Sequence, residues 1–252
     1  MRALVLGDIH ANLAALTAVL EAAPAVDKIY CLGDLVGYGP NPCECVDLIR
    51  TQADQVVFGN HDQEIVMACR RPREDTPCDT DDSRWRHWTA QQLGADDVDY
   101  LASLPEEVEL KLDRKLVCLR HDLPLPGPLI MPDATIEQIE ARLDERAFDF
   151  MFVGHVHVPY QRQLGQGQLI DVGSVGQAEH GEGNAAYALW IDGQVSFHRT
   201  DYDLEKTIRD MRALPLSEAY MQLWFEFWRT GSVDRPALGR LASAQDAASN
   251  PE

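Results

Sequence analysis

The sequence predicts an α/β protein, and three observations carry that expectation. Short apolar runs alternate with helical patterns through the first half of the chain. Three such runs, Ala3-Leu4-Val5-Leu6, Ile29-Tyr30-Cys31-Leu32 and Met151-Phe152-Val153, end directly in Gly-Asp or Gly-His. The second half adds Asp192-Gly193 between two strand-like stretches, a strong hairpin signal.

After the first strand, Asn12 can cap a helix whose Leu13, Leu16, Val19 and Leu20 recur at helical spacing, and Pro24 closes it. A second strand over 28–32 leads into the turn-rich stretch 37–42 and then a helix to about Arg50. A third strand, 55–58, delivers Asn60-His61 and another helix. This β-α-β-α-β order predicts parallel pairing with right-handed crossovers. Residues 70–106 break the rhythm and read as a helical insertion over one edge of the sheets, with helical patterns at Trp85–Leu93 and Asp97–Leu104. Strands return at 107–112 and 115–120 around an Asp113-Arg114 turn. A helix at 135–144 and strands at 150–154, 168–172, 185–191 and 194–199 follow. The tail reads as helices at 204–213, 217–229 and 235–245. The expected division is a domain over 1–200 and a helical C-terminal extension over 201–252.

Bulk properties narrow the function classes. At 252 residues the chain holds one substantial domain with an appendage. A net charge of -19 repels polyanions, which argues against nucleic acid and anionic membranes. Bound cations would reverse that potential locally, so a small phosphorylated substrate stays compatible. Six cysteines form no disulfide-like framework. With no signal-peptide core and no long apolar run, the expected compartment is the cytoplasm.

The chemistry sits at the strand ends. Asp8, His10, Asp34, Asn60, His121, His155 and His157 are metal-donor types spread widely along the chain. An open α/β sheet gathers strand ends on one edge. Asp, His and Asn without Cys suit Mn²⁺, Fe²⁺, Co²⁺, Ni²⁺ or Zn²⁺. Seven donors exceed the needs of one ion and suit two.

In order, Gly7-Asp8-Ile9-His10, Gly33-Asp34, Gly59-Asn60-His61-Asp62, His121 and Gly154-His155-Val156-His157 resemble the five motifs of the calcineurin-like metallophosphoesterase superfamily. Gly173-Ser174-Val175-Gly176-Gln177, the loop 37–42 and the aromatic tail resemble its small bacterial and archaeal phosphoesterase branch. The resemblance covers roughly residues 1–200 and implies a four-layer α/β/β/α sandwich of two mixed sheets. It also implies two divalent ions, with Mn²⁺ favoured and Fe, Zn, Ni or Co as other candidates. Asp8, His10 and His157 would hold the first ion, Asn60, His121 and His155 the second, and Asp34 would bridge them. A metal-bridging hydroxide would attack phosphorus while His61 assists the leaving oxygen or stabilises the phosphoryl group. Asp62 would orient the His61 ring.

The branch includes phosphatases, phosphodiesterases and enzymes that split dinucleoside tetraphosphates. A protein Ser/Thr phosphatase fits poorly, because Ile9-His10-Ala11 lacks the His-Gly ending and Leu35-Val36-Gly37 replaces Arg-Gly after Asp34. A non-catalytic scaffold would have lost donors, and every motif here keeps its own. One departure is Asp122, where the pattern prefers glycine after the histidine.

Asn60, Tyr38 and Arg84 are the expected substrate contacts, with Arg70, Arg71, Arg73 and Arg86 as further candidates and Trp85 or Trp88 as base platforms. The competing reading pairs the arginines with neighbouring acids and buries the tryptophans. His87 and His198 read as surface or packing residues, and His180, in the Gly-rich loop after Gly176, as a solvated residue with approach to the substrate as the lesser alternative. Ser174 lacks a neighbouring base and is not expected to be a nucleophile. No G-x-x-x-x-G-K-[ST] pattern is present, so the glycines at 37 and 39 do not form a P-loop. Tyr220, Trp224, Phe225, Phe227 and Trp228 surround more than one face of a tail helix, which predicts docking on the body or a homodimer contact rather than a ligand role.

Overall fold

The computed structural model describes residues 1–71, 79–179, 183–232, 234, 236–237 and 239–240. Arg73, Cys78, His180 and most of the expected 235–245 helix lie outside the described residues. The chain runs β1 (Arg2–Leu6), α1 (Leu13–Ala22), β2 (Lys28–Cys31), α2 (Pro42–Gln52), β3 (Gln55–Val56), α3 (Asn60–Arg70), α4 (Asp81–Gln92) and α5 (Ala95–Ser103). It continues with β4 (Glu107–Leu112), β5 (Lys115–Arg120), α6 (Ile136–Glu140), β6 (Phe150–Val153), β7 (Tyr160–Leu164) and β8 (Gly167–Asp171). The last elements are β9 (Ala185–Ile191), β10 (Gln194–Thr200), α7 (Leu204–Met211) and α8 (Glu218–Thr230).

Two five-stranded mixed sheets face each other, ordered β10-β9-β1-β2-β3 and β4-β5-β6-β8-β7. Strand alternation sorts the side chains into layers. Ala3 and Val5 of β1 point into an inter-sheet core with Phe150, Phe152 and Trp190. Leu4 and Leu6 of the same strand point outward to the helical layer of α1, α2, α3 and the tail. Cys118 and Met151 face the opposite outer layer with Ile139 of α6. The result is the four-layer α/β/β/α sandwich that the resemblance implied.

The parallel pairs β1/β2 and β2/β3 follow from the β-α-β rhythm, and β5/β6 is parallel as well. These five strands therefore release their chain ends on one side, where the candidate donors sit. Both hairpin turns use left-handed backbone, at Asp113-Arg114 (φ 48° and 69°) and Asp192-Gly193 (φ 51° and 87°).

Two readings need correction. Strand β7 was not expected, because Tyr160-Gln161-Arg162-Gln163-Leu164 is an edge strand with an exposed polar centre and no strong apolar signal. Helix α6 is five residues rather than ten and ends at Glu140. Of the expected insertion, Trp85 and Leu93 of the α4 segment and Leu101 of α5 join the helical layer outside the first sheet.

The tail docks on the body of its own chain. Tyr220, Met221, Trp224, Phe225, Phe227 and Trp228 of α8 are all buried in the same core as α1 and α2. Ser217 caps α8 by accepting from Tyr220 N–H, and Gly231 ends the helix in the left-handed region at φ 60°. Asn12 joins three segments. It caps α1 through Ala15 N–H, accepts from Thr207 of α7, and donates to the Gly176 carbonyl.

Candidate metal centre

Backbone conformation marks the site before any side chain is considered. Among the described residues, ten non-glycine positions have positive φ, and three belong to the hairpin turns. The other seven are Asp8, His10, Ala11, Asp34, Tyr38, His155 and His157. Such conformations are disfavoured for side-chain-bearing residues and persist where surrounding bonds hold them. Here Asp8 N–H donates to Gly33 O at 3.0 Å, and Ile9 and His10 both donate to Asp34 O at 2.9 Å. Gly176 N–H and the Ser174 hydroxyl both donate to Asp8 O, at 2.9 and 2.7 Å. Ser174 is thus a buried brace for the Asp8 loop.

Asp8, Asp34, Asn60 and His155 each follow a glycine, and two of these glycines show a steric reason. A Cβ on Gly59 would lie 2.3 Å from Asp34 N, and one on Gly154 would lie 2.3 Å from Asp8 Oδ2. The strand ends approach so closely that a side chain at either position would displace a carboxylate.

The side chains converge as follows. His10 Nε2 and His157 Nε2 lie 3.0 Å apart, and Asp8 Oδ1 is 3.9 Å and 3.3 Å from them. Asp34 Oδ2 is 3.8 Å from His10 Nε2 and 3.3 Å from His121 Nε2. His121 Nε2 is in turn 2.9 Å from Asn60 Oδ1, and its Nδ1 lies 2.9 Å from the Leu32 carbonyl. That carbonyl can only accept, so Nδ1 carries the proton and donates; in the neutral ring Nε2 is then the ligating nitrogen. The His155 ring is 5.0 Å from that of His121, and His155 N–H donates to both Asp8 oxygens.

Three sets of donors lie within 4.8 Å of one another: Asp8 with His10 and His157, Asp8 with Asp34 and His121, and His10 with Asp34 and His61. Five of the seven sequence-expected donors fall in these sets; Asn60 adjoins them through His121, and the His155 ring lies beside that of His121 but in none of the sets. Asp34 Oδ2 is buried with no hydrogen-bond partner. A buried carboxylate oxygen so placed between imidazole nitrogens fits a cation.

Electrostatics are those of a dense buried cluster. Burial opposes the Asp34 charge, but His121, His61 and His10 outweigh it and hold its carboxyl well below the usual range. Burial likewise opposes the His121 charge, yet Asp34 and Asp8 bring it up to about 10. Burial and then His157 push His10 well down. At His61 burial works downward, while Asp34 and Glu64 raise it overall.

Asp62 does not orient His61. Its oxygens accept from the N–H groups of Leu35, Val36 and Gly59, so it ties the two donor loops together. Burial, with Asp34 adding to it, raises Asp62 to about 7. The carboxylate beside the ring is Glu64, 3.5 Å from His61 Nδ1. The three-residue separation on α3 was the available signal for that pairing.

A cavity of about 350 Å³ opens on Asp34, His61, His155 and His157. Tyr38 lines it as expected, its ring 4.8 Å from both His61 and Trp224. Tyr220, Trp224 and Phe227 of α8 line it too, which the sequence reading did not anticipate. Arg84 does not: it pairs with Asp81 at 3.3 Å on α4. Arg86 pairs with Asp82 and Glu64. Trp85 is buried against Tyr38 and offers no platform for a base. A separate, smaller cavity of about 170 Å³ is lined by Asn60 and His121 together with Gln63, Arg120 and Asp122. A larger cleft near 500 Å³ lies between α1 and α7, and no candidate donor lines it.

Residues 1–192 match the family model of the calcineurin-like phosphoesterase superfamily domain. The chain belongs to the calcineurin-like phosphoesterase superfamily. It is 32% identical over 230 residues to an uncharacterized protein of Methanocaldococcus jannaschii, covering 80% of this chain and 88% of that one. A crystal structure of a metallophosphoesterase from Sphaerobacter thermophilus superposes with a TM-score of 0.72 at 33% identity, over 88% of this chain and 97% of the other. A symmetrical bis(5'-nucleosyl)-tetraphosphatase of Paracidovorax citrulli is 31% identical over 150 residues, or 55% of this chain and 50% of that enzyme. The chain therefore spans about half of this tetraphosphatase relative. Membership makes the protein a phosphoesterase of a metal-dependent family, and its buried His and Asp cluster supplies candidate ligands. Helix α8 lies beyond the matched span.

Proposed function

We propose that this chain hydrolyses a small phosphate ester or anhydride at two divalent ions held by Asp8, His10, Asp34, Asn60, His121, His155 and His157, with Mn²⁺ as the favoured metal. The observation that carries the reading is the buried Asp34 Oδ2, without a hydrogen-bond partner and facing His121 Nε2 at 3.3 Å and His10 Nε2 at 3.8 Å. Asp34 is then the shared ligand of the two sets. When bound, such ions supply Lewis-acid stabilisation of phosphoryl charge and acidify water near neutral pH.

The remaining work falls to the chain's own groups. Asn60 directs Oδ1 toward His121, which leaves its amide N–H₂ to donate to a phosphoryl oxygen. Burial works against a charge on His61, but Asp34 and Glu64 outweigh it and favour the protonated ring. With Nδ1 turned to Glu64, Nε2 gives its proton or hydrogen bond to the leaving oxygen. Tyr38 packs against His61 and restricts its ring. Cys31 and Cys45, buried free thiols, fit the reducing cytoplasm.

Release of nitrophenol from mono- and bis-nitrophenyl phosphate with Mn²⁺ tests the proposal. Chelation should abolish release, and His61→Ala should slow it about 10²- to 10³-fold with metal content unchanged. Activity that survives chelation would refute the reading.

A second reading is hydrolysis of a dinucleoside polyphosphate. The smaller cavity, lined by Asn60, His121 and Arg120, favours it, since it offers room for a second arm of the substrate. Relatives named as symmetrical bis(5'-nucleosyl)-tetraphosphatases add support. Two nucleoside diphosphates released per diadenosine tetraphosphate would identify that activity.

A further inference from the structure

Resting on the phosphoesterase reading above, we propose that α8 forms a fixed specificity wall, at which Trp224, Tyr220 and Phe227 select monophosphate esters of one compact planar group, as in a nucleoside monophosphate.

The cavity has two unlike halves. Asp34, His61, His155 and His157 make its reacting end. Beyond Tyr38 the lining turns aromatic, and the Tyr38 ring stands 4.8 Å from Trp224. Tyr220 and Phe227 flank Trp224, with ring centroids 6.2 and 5.6 Å from it. A phosphate placed on the polar end therefore directs its organic group toward flat apolar surfaces, which favour planar rings.

Buried donors point to a heteroaromatic ring in particular. Trp224 Nε1 and Gln177 Nε2, on two residues of this wall, are buried and have no acceptor at hydrogen-bond distance. A buried donor left unpaired is costly, so a ring nitrogen or carbonyl that reaches it gains affinity.

Size and charge fix the number of groups. About 350 Å³ is at the low end for ligand sites and accommodates one such group rather than two. Among the described residues lining this cavity none is lysine or arginine, whereas Asp82 and Glu179 both line it. A chain of further phosphates would meet carboxylates there.

The wall is anchored. Trp228 Nε1 donates to Gly176 O at 2.9 Å, and Gly176 N–H is bonded to Asp8 O. At the other end of α8, Ser217 donates its N–H and hydroxyl to Asp81 at 2.8 and 2.6 Å. The aromatic surface is thus held in register with the metal cluster.

The test compares adenosine 5'-monophosphate with ribose 5-phosphate, which carry the same phosphate on the same kind of primary oxygen and differ in the base. With Mn²⁺, the wild-type protein should favour the nucleotide at least tenfold in kcat/KM, about 1.4 kcal/mol. Phe227→Leu and Trp224→Leu should bring that ratio to within threefold of unity, mainly through the nucleotide's KM. Trp224→Phe keeps a ring, protects against loss of folding and should give an intermediate ratio. A wild-type ratio near unity, a ratio unchanged in folded variants, or faster cleavage of diadenosine tetraphosphate would overturn the proposal. Calorimetric binding of the two compounds separates its fate from that of the underlying reading. Selective nucleotide binding without hydrolysis by any metal-loaded form would remove the phosphoesterase activity and keep the wall. Hydrolysis of both compounds without preference would do the reverse.

Discussion

Replacing Asp34 by Asn isolates the charge on which the site depends. Asn keeps the volume and leaves Oδ1 to accept from His61 N–H, a bond of 2.8 Å in the present structure. What changes is one negative charge at a position 3.3 Å from His121 Nε2 and 3.8 Å from His10 Nε2. A cation held by either histidine lies close to that carboxylate. At about 4 Å and an effective dielectric near 20, one pair of unit charges is worth about 4 kcal/mol. That corresponds to about a thousandfold in affinity. The assay is metal content per chain after dialysis, measured by inductively coupled plasma mass spectrometry, beside nitrophenyl phosphate turnover across a Mn²⁺ titration. Asp34→Asn should require about a thousandfold more Mn²⁺ and lose at least as much turnover at low metal, with an unchanged circular dichroism spectrum. Metal content and turnover both within threefold of wild type would refute the reasoning.

Three further outcomes follow from particular contacts. Gly59→Ala places a Cβ 2.1 Å from Asp34 Oδ1 and 2.3 Å from Asp34 N, so it should cost about 3 kcal/mol or more in urea unfolding, unlike a Gly193→Ala control, whose added Cβ meets nothing within 4 Å and which is strained only by its turn. In metal-free protein His121 is held at about 10 folded, against about 6.5 unfolded, so the folded state keeps the extra proton. Its contribution is complete below pH 6.5 and falls by up to about 1.4 kcal/mol per unit as pH rises toward 10, and His121→Gln should flatten the urea-midpoint profile across that window. Arg142, buried, donates to the Leu125 and Pro128 carbonyls and to Asp122. Arg142→Met should lower stability by about 2–4 kcal/mol, whereas Asp122→Asn, at a half-exposed carboxylate, should cost under about 1 kcal/mol by the same unfolding measurement.

The convergence of the candidate donors was legible because much of its signal is local, with Asp8, Asp34, Asn60 and His155 each following a glycine. A glycine followed by Asp, Asn or His at the end of an apolar run records both a close backbone approach and a metal-donor chemistry. The two-sheet core was legible for a related reason, since Leu4 and Leu6 alternate with Ala3 and Val5 along one strand. What the sequence did not disclose depends on neighbours. Strand β7 owes its place to pairing with β8, not to an apolar pattern of its own. Arg84 has the charge to meet a phosphate, but Asp81 three residues earlier takes it. The aromatic residues of α8 announce burial on several faces, and periodicity alone does not say that one of those faces closes the cavity beside His61. Asp62 adjoins His61 in sequence, but helical spacing on α3 brings Glu64, three residues on, beside the ring. Asp122, at the usual glycine position, binds Arg142 at 2.7 Å and so stabilises the following loop.

The measurement that bears most directly on the central claim is anomalous scattering from crystals soaked in Mn²⁺, collected on both sides of the manganese edge. Two anomalous peaks on opposite sides of the Asp34 carboxylate, one near His10 and His157 and the other near Asn60 and His121, are the expected result. A single peak, or peaks away from Asp34, would contradict the dinuclear account.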